Sequence, residues 1–304
     1  MDFLKNLFGK QKDKNFEQTI PTVQMVQTTP LTDDQLKTVS HETVPFRPPQ
    51  FLIGCGQSAG LQRDHNEDTL FYLSSILADG VNDVPFGICV IADGMGGHKN
   101  GEIASGVAAR TVARILVTKI YAHLLEINPE PMEESLQETI EKAVSEVQKT
   151  VIRYAPGGGT TLTIALVLGE QVTIAHVGDS RAYFIYPDGR IQKLTKDHSL
   201  VQRMVDLEEI TEAEAQNHPH RNVLLKAIGQ TEPIQPDVQT HQIPKSGFLM
   251  LCSDGLWGVV SETEIYRLVT SVADPVLACR QMIDAANRCG GPDNISVILV
   301  EFIG

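Results

Sequence analysis

The hydrophobic pattern of the chain changes at about residue 50. From Phe51 onward, apolar runs rich in β-branched residues recur between polar turns: Phe86 to Ala92, Thr160 to Leu168, Gln171 to Val177, Phe248 to Cys252 and Ile295 to Phe302. Their continuity predicts strands covered on both faces, or on the core side of a sandwich. Tyr183 to Gln192 reads as a hairpin, because Asp and Gly in its turn Pro187-Asp188-Gly189-Arg190 tolerate positive φ. Helical spacing covers Glu102 to Leu125, Met132 to Tyr154, Ser261 to Thr270 and Pro275 to Arg288, with Ser261 and Glu264 placed as a capping box. Strand runs interleaved with helix pairs predict two sheets covered by helices. The strict alternation of a doubly wound sheet is absent.

Two stretches depart from this pattern. Residues 197–236 are polar and mixed in charge, and read as a helical insertion lying over the domain. Residues 1–50 read as a disordered or loosely attached extension, since Gln, Thr, Lys, Asp and Pro dominate from Gln11 to Pro49. Within residues 1–10, Phe3, Leu4, Leu7 and Phe8 repeat at helical spacing beside Lys5 and Lys10. That spacing fits a short anchor for a membrane surface or a partner. The ordinary reading is a frayed terminus, because so short an isolated helix is marginal in water.

Composition narrows the classes. The chain has 304 residues, 42% of them hydrophobic, enough for a sizeable core. Lys plus Arg total 25 against 38 Asp plus Glu, a formal charge of −13; residues 1–50 carry six of each sign, so the excess lies in 51–304. Such an acidic body argues against nonspecific nucleic-acid binding. The five cysteines include no Cys-x-x-Cys pair, and Cys89 and Cys252 lie in apolar runs. They read as reduced, buried thiols of a cytoplasmic protein. No apolar run approaches the roughly 18 residues of a membrane span.

Five acidic residues stand in Gly- or Asn-bearing turns beside apolar runs: Asp68, Asp93, Asp179, Asp254 and Asp293. Hard divalent cations are held by convergent carboxylate and carbonyl oxygens, and carboxylates that converge repel one another unless a cation neutralises them. Asp93-Gly94-Met95-Gly96-Gly97-His98 is the strongest local signal, because it follows a strand and precedes a helix. A phosphate-binding Gly-rich turn is the alternative, although the P-loop pattern is missing. Taken singly, Asp254 and Asp293 suit a cap or a turn, Gly178-Asp179-Ser180-Arg181 suits a hairpin turn, and Arg63 is spaced to pair with Asp68 at the surface.

In combination the motifs say more. Arg63-x-x-Asn66-Glu67-Asp68, Asp93-Gly94-Met95-Gly96-Gly97-His98, Gly159-Thr160-Thr161, Gly178-Asp179-Ser180-Arg181, Ser253-Asp254-Gly255 and Asp293-Asn294 occur in this order. Over about 54–302 the chain resembles the bacterial metal-dependent protein serine/threonine phosphatases of the protein phosphatase 2C type. The resemblance implies an α+β fold, a four-layer αββα sandwich of two antiparallel sheets flanked by helix pairs, carrying two Mg²⁺ or Mn²⁺ ions. It implies that Asp93 bridges both ions, the Gly94 carbonyl completes the first, and Asp254 and Asp293 hold the second. Asp68, together with Glu67, acts mainly through metal-bound water, and Asp179 with Asp254 marks a third site. Arg63 binds the substrate phosphate, and residues 197–236 correspond to the family's substrate-related flap. The implied catalytic domain is 51–304. The implied reaction is hydrolysis of phosphoserine or phosphothreonine in proteins by a metal-bridging water, reversing a Ser/Thr kinase. A dedicated phosphatase of a single regulatory protein and a catalytically dead binding module are the alternatives. Two departures stand out. Met95 occupies the place of a proposed general-acid His of many eukaryotic members, leaving His98 a loop-orienting role. Glu67 stands where bacterial members often have Gln.

Overall fold

The computed structural model describes residues 48–79, 82–96, 99–230 and 233–303. The segment 1–10, most of the N-terminal extension and His98 therefore lie outside the described residues. Two five-stranded antiparallel sheets form the centre. Strands β1 (Gln50–Ser58), β2 (Thr69–Ala78), β3 (Asp83–Ala92) and β4 (Gly94–Met95) lead into helix α1 (Lys99–Leu116), which continues through a π-helical turn to Leu124. Helix α2 (Leu136–Tyr154), β5 (Gly159–Thr160), β6 (Leu162–Leu168), β7 (Gln171–Val177), β8 (Arg181–Ile185) and β9 (Ile191–Lys193) follow. Then come α3 (Leu200–Asp206), α4 (Glu212–Gln216), β10 (Asp237–Gln242), β11 (Gly247–Cys252), α5 (Asp254–Trp257), α6 (Glu262–Thr270), α7 (Pro275–Arg288) and β12 (Ile295–Ile303). The sheet orders are β1-β12-β11-β8-β9 and β10-β7-β6-β3-β2.

The alternation of side chains along buried strands sorts the apolar residues into three cores. In β3, Phe86, Ile88 and Val90 face α1 and α2, where Ala108, Val112, Val144 and Val147 sit at helical spacing. The intervening Cys89 and Ile91 face the other sheet, meeting Phe184, Leu251 and Ile298. In β12, Val297 and Leu299 turn outward to α6 and α7 and pack on Leu268, Cys279 and Met282. Helix, sheet, sheet and helix thus form four layers, as expected. Burying each Ile or Leu contributes about 1.5–3 kcal/mol, so the continuous apolar runs are what fix the layers.

Local signals explain the ends. Ser135 caps α2 in a reciprocal box with Glu138, starting that helix at Leu136 rather than at Met132. Asp274 accepts from the Val276 N–H at 2.8 Å and Pro275 opens α7. Ser261 accepts from the Glu264 N–H at 3.3 Å, but the Glu264 carboxylate pairs with Arg267 at 2.6 Å, so only half of the predicted box forms. The unanticipated strands β1, β2 and β10 all lie at sheet edges. Edge strands are half-solvated and mix polar with apolar positions, which blurs their pattern. The turn Gly178–Arg181 is not a hairpin. It carries the chain from β7 in one sheet to β8 in the other. Among the described residues no helix is long and apolar enough to cross a membrane.

Candidate metal centre

The end of β3 presents Asp93, and its backbone is clamped. The Asp93 N–H donates to Thr161 Oγ1 at 2.9 Å, and its carbonyl accepts from the Thr161 N–H at 2.8 Å and from Thr160 Oγ1 at 2.9 Å. Thr161 Oγ1 is in turn 2.7 Å from Ser180 Oγ, beside Asp179. These bonds give the Gly159-Thr160-Thr161 motif its job of holding one carboxylate rigidly beside another. Gly94 is required by close approach, since a Cβ there would collide with the Gly101 and Glu67 carbonyls.

Asp68 lies buried behind the cleft instead of pairing with Arg63 at the surface. Its Oδ2 accepts from Ser253 Oγ at 2.9 Å and from Ser296 Oγ at 2.7 Å, whereas its buried Oδ1 has no hydrogen-bond partner. Arg63 pairs with Asp293, Nη2 to Oδ2, at 2.7 Å. The loop carrying Arg63 is held by Asn294, whose Nδ2 donates to the carbonyls of Ala59 and His65 at 3.0 and 2.9 Å, while its Oδ1 accepts from the Glu67 N–H at 2.8 Å. Asp254 opens α5 directly after β11. Glu67 Oε1 lies 3.0 Å from His65 Nε2.

Arg63, Asp93, Gly94, Asp179, Asp254 and Asp293 all line one cleft of about 770 Å³, together with Glu67, His65 and Met95. Asn222, Leu224 and Gln230, from the segment 197–236, line it as well. Sequence reasoning gave no role to these last three or to Asn294, Ser253 and Ser296. Ser253 and Asn294 adjoin the motif aspartates Asp254 and Asp293, the only signal available, whereas Ser296 carries none.

The electrostatics of the cleft are those of uncompensated negative charge. Burial raises the Asp68 carboxyl to about 6, and the Asp254 carboxyl to about 7 with help from Asp293 and Asp68. Asp93 and Asp179 are raised well above the usual range, first by burial and then by neighbouring carboxylates. Among the described residues, no three or more His, Cys, Asp or Glu side chains close on a single point as a finished cage. The carboxylates that line the cleft suit cations that take one or two carboxylates each and complete their shell with backbone carbonyls and water, as Mg²⁺ does. The orphaned Asp68 Oδ1, the mutually repelling carboxyls and the oxygen-only donor set all fit hard divalent ions. Cys252 carries no competing chemistry, because burial pushes its thiol up to about 12.

A four-layer α+β sandwich with such a cleft defines a class of phosphatase enzymes. A sequence profile of protein phosphatase 2C matches residues 55–287, and the chain belongs to the protein phosphatase 2C family of hydrolases. It is 36% identical over 248 residues to the serine/threonine phosphatase Stp of Listeria monocytogenes, covering 80% of this chain and 92% of that one. The solved catalytic domain of the serine/threonine protein phosphatase PstP, in complex with two manganese ions, is 28% identical with a TM-score of 0.64, covering 84% of this chain and 100% of that one. Stp1 of Staphylococcus aureus is 30% identical with a TM-score of 0.66, covering 84% and 95% respectively.

Proposed function

We propose that this enzyme hydrolyses phosphoserine and phosphothreonine esters in proteins, with two Mg²⁺ or Mn²⁺ ions and a third more weakly held. The observation that carries the reading is one cleft lined by Asp93, Asp254, Asp293 and Asp179, backed by Asp68, with Arg63 at its rim. Asp93 would hold both ions, the Gly94 carbonyl the first, and Asp254 and Asp293 the second. Asp68 would act through water, and Asp179 with Asp254 would take the third. When bound, such ions acidify a bridging water to a hydroxide-like nucleophile and neutralise phosphoryl charge.

The chain's own residues do the rest. Asp293 holds one nitrogen of Arg63, which fixes where the planar fork lies; its remaining N–H groups are free to grip two phosphate oxygens. Asn294 ties the Arg63 loop to the Asp293 turn, so the phosphate grip and that carboxylate keep their spacing. Glu67 is held through its backbone by Asn294 and Ser105, the latter at 2.6 Å. Asn222, Leu224 and Gln230 stand where residues flanking the phosphorylated side chain would pass. The presence of both Arg63 and Asp179 favours a phosphatase of several phosphoproteins over one dedicated to a single regulator. The substrate is the product of a Ser/Thr kinase, and the free thiols suit a cytoplasmic enzyme.

Manganese-dependent hydrolysis of a phosphothreonine peptide, comparing the native chain with Asp254→Ala, tests the reading. We expect turnover that EDTA abolishes and that the variant lacks. Full activity in EDTA, or an unaffected variant, would sink the two-metal reading.

A further inference from the structure

Asp179 stands on the crossover between the two sheets, and a set of buried polar contacts joins that crossover to both Asp254 and the segment 197–236. Arg181 directs its fork at Asp197, Nε to Oδ1 at 3.0 Å and Nη2 to Oδ2 at 2.6 Å. Its guanidinium lies 3.4 Å from the centre of the Trp257 ring, and Nη1 donates to Tyr183 Oη at 3.1 Å. Trp257, on the short helix that Asp254 opens, donates its indole N–H to the Asp179 carbonyl at 3.0 Å. Asp197 is the first residue of the segment 197–236, and His198 pairs with the crossover twice. The His198 N–H donates to the Gly178 carbonyl at 2.6 Å, and the Gly178 N–H donates to His198 Nδ1 at 3.1 Å. His198 in turn accepts from the Leu225 N–H at 2.7 Å, and the Leu200 N–H reaches Val223 at 2.8 Å. Asn222 and Leu224, on either side of Val223, line the cleft.

The Asp197 side chain is 5% exposed and that of Arg181 18%. Neither can swing into solvent without leaving a buried charge unpaired. One guanidinium therefore touches the root of the flap and the helix of Asp254, and through Trp257 that helix holds the Asp179 carbonyl.

We propose that Arg181 is a positioning residue that locks the flap root to the Asp179–Asp254 pair, so that cation binding at that pair and ordering of the cleft-facing part of the flap are reciprocally coupled. This rests on the metal-dependent reading above. Each ligand state of the pair then favours one placement of residues 222–230, and a substrate that orders those residues tightens the cation. Lys at 181 keeps the charge but loses both the fork and the flat stacking face.

The test uses the full chain. Hydrogen exchange is followed by mass spectrometry while Mn²⁺ is titrated, and bound Mn²⁺ is counted by its paramagnetic resonance. In the native protein, Mn²⁺ is expected to slow exchange in 222–230. In Arg181→Lys the weakest Mn²⁺ should bind about tenfold less tightly, within the usual range for coupled sites. The Mn²⁺-dependent slowing in 222–230 should vanish while β3 and β12 exchange as in the native chain. Asp179→Asn should abolish the same slowing. If Arg181→Lys does not fold, Trp257→Phe, which keeps a ring and loses the donor to Asp179, carries the same expectation. Native Mn²⁺ response of 222–230 in a folded variant overturns the proposal, as does Mn²⁺ binding that leaves native exchange in 222–230 unchanged. A native protein that binds no Mn²⁺ overturns the metal-dependent reading itself.

Discussion

Replacing Asp254 by Asn should stabilise the metal-free protein while weakening its metal response. The Asp254 carboxyl ionises at about 7 in the fold against an ordinary 3.8, because of burial and then Asp293 and Asp68. Ionising it there is unfavourable by about three pH units at 1.36 kcal/mol each, roughly 4 kcal/mol. Asp254 keeps an open edge on the cleft, and solvent screening trims this to ~2 kcal/mol. The folded value lies above the unfolded one. The unfavourable contribution is therefore absent below about 3.8, grows as pH rises, and is fully present above about 7. Asn cannot ionise, so the variant escapes it. For a domain of this size 2 kcal/mol corresponds to roughly 4–8 °C in Tm. Calorimetry in EDTA at pH 8.5 should show the variant melting higher by that amount, with the gap closing at pH 4. Added Mn²⁺ should then raise the native Tm by mass action more than that of the variant, which lacks a carboxylate for the second and third ions, so the gap narrows or reverses. A variant that melts at or below the native protein in EDTA at pH 8.5, or a gap that persists unchanged at pH 4, would refute the reasoning.

Two further outcomes follow from the geometry. Arg63→Lys keeps a charge near Asp293 but not the fork. It should reduce kcat/KM on a phosphopeptide by roughly 10- to 100-fold, the worth of a charged hydrogen bond, with KM rising; native kinetics would remove Arg63 from the phosphate. Gly178→Ala forces a side chain onto φ +114° and sets its Cβ 2.6 Å from the Thr161 side chain. It should lower unfolding stability by at least about 1–3 kcal/mol in urea with an unchanged m-value. An unshifted midpoint would contradict the strain.

How much was legible from the chain depended on whether each cause was local. Asp93 and Asp254 stand directly after continuous apolar strands, so their place at strand ends could be read. The four layers followed from the same runs. Asp68 could not be placed, because the hydroxyls that hold it, Ser253 just after β11 and Ser296 on β12, lie far along the chain. With no signal for those contacts, the nearest cation, Arg63, looked like its partner, whereas Arg63 reaches Asp293. The same distance hid Asn294 as the brace of the 59–67 loop. Gly178–Arg181 looked like a hairpin because strands precede and follow it; nothing local says that the two strands belong to different sheets. Edge strands such as β10, where the adjacent Gln239 and Thr240 are both exposed, offer no clean alternation to read.

The position of β12 bears on when this enzyme becomes active. It lies between β1 and β11, so Ser58 of β1 waits for Ile295 before its sheet can close. At roughly 5–20 residues per second of synthesis, that wait is on the order of ten seconds to a minute on the ribosome. During that interval β1 has no neighbour, and Asp68 lacks the Ser296 hydroxyl that holds it. A growing chain that already carries Asp93, Asp179 and Asp254 is therefore still without a closed cleft. Activity is gated by completion of synthesis, and the waiting β1 is the segment a chaperone would be expected to shield.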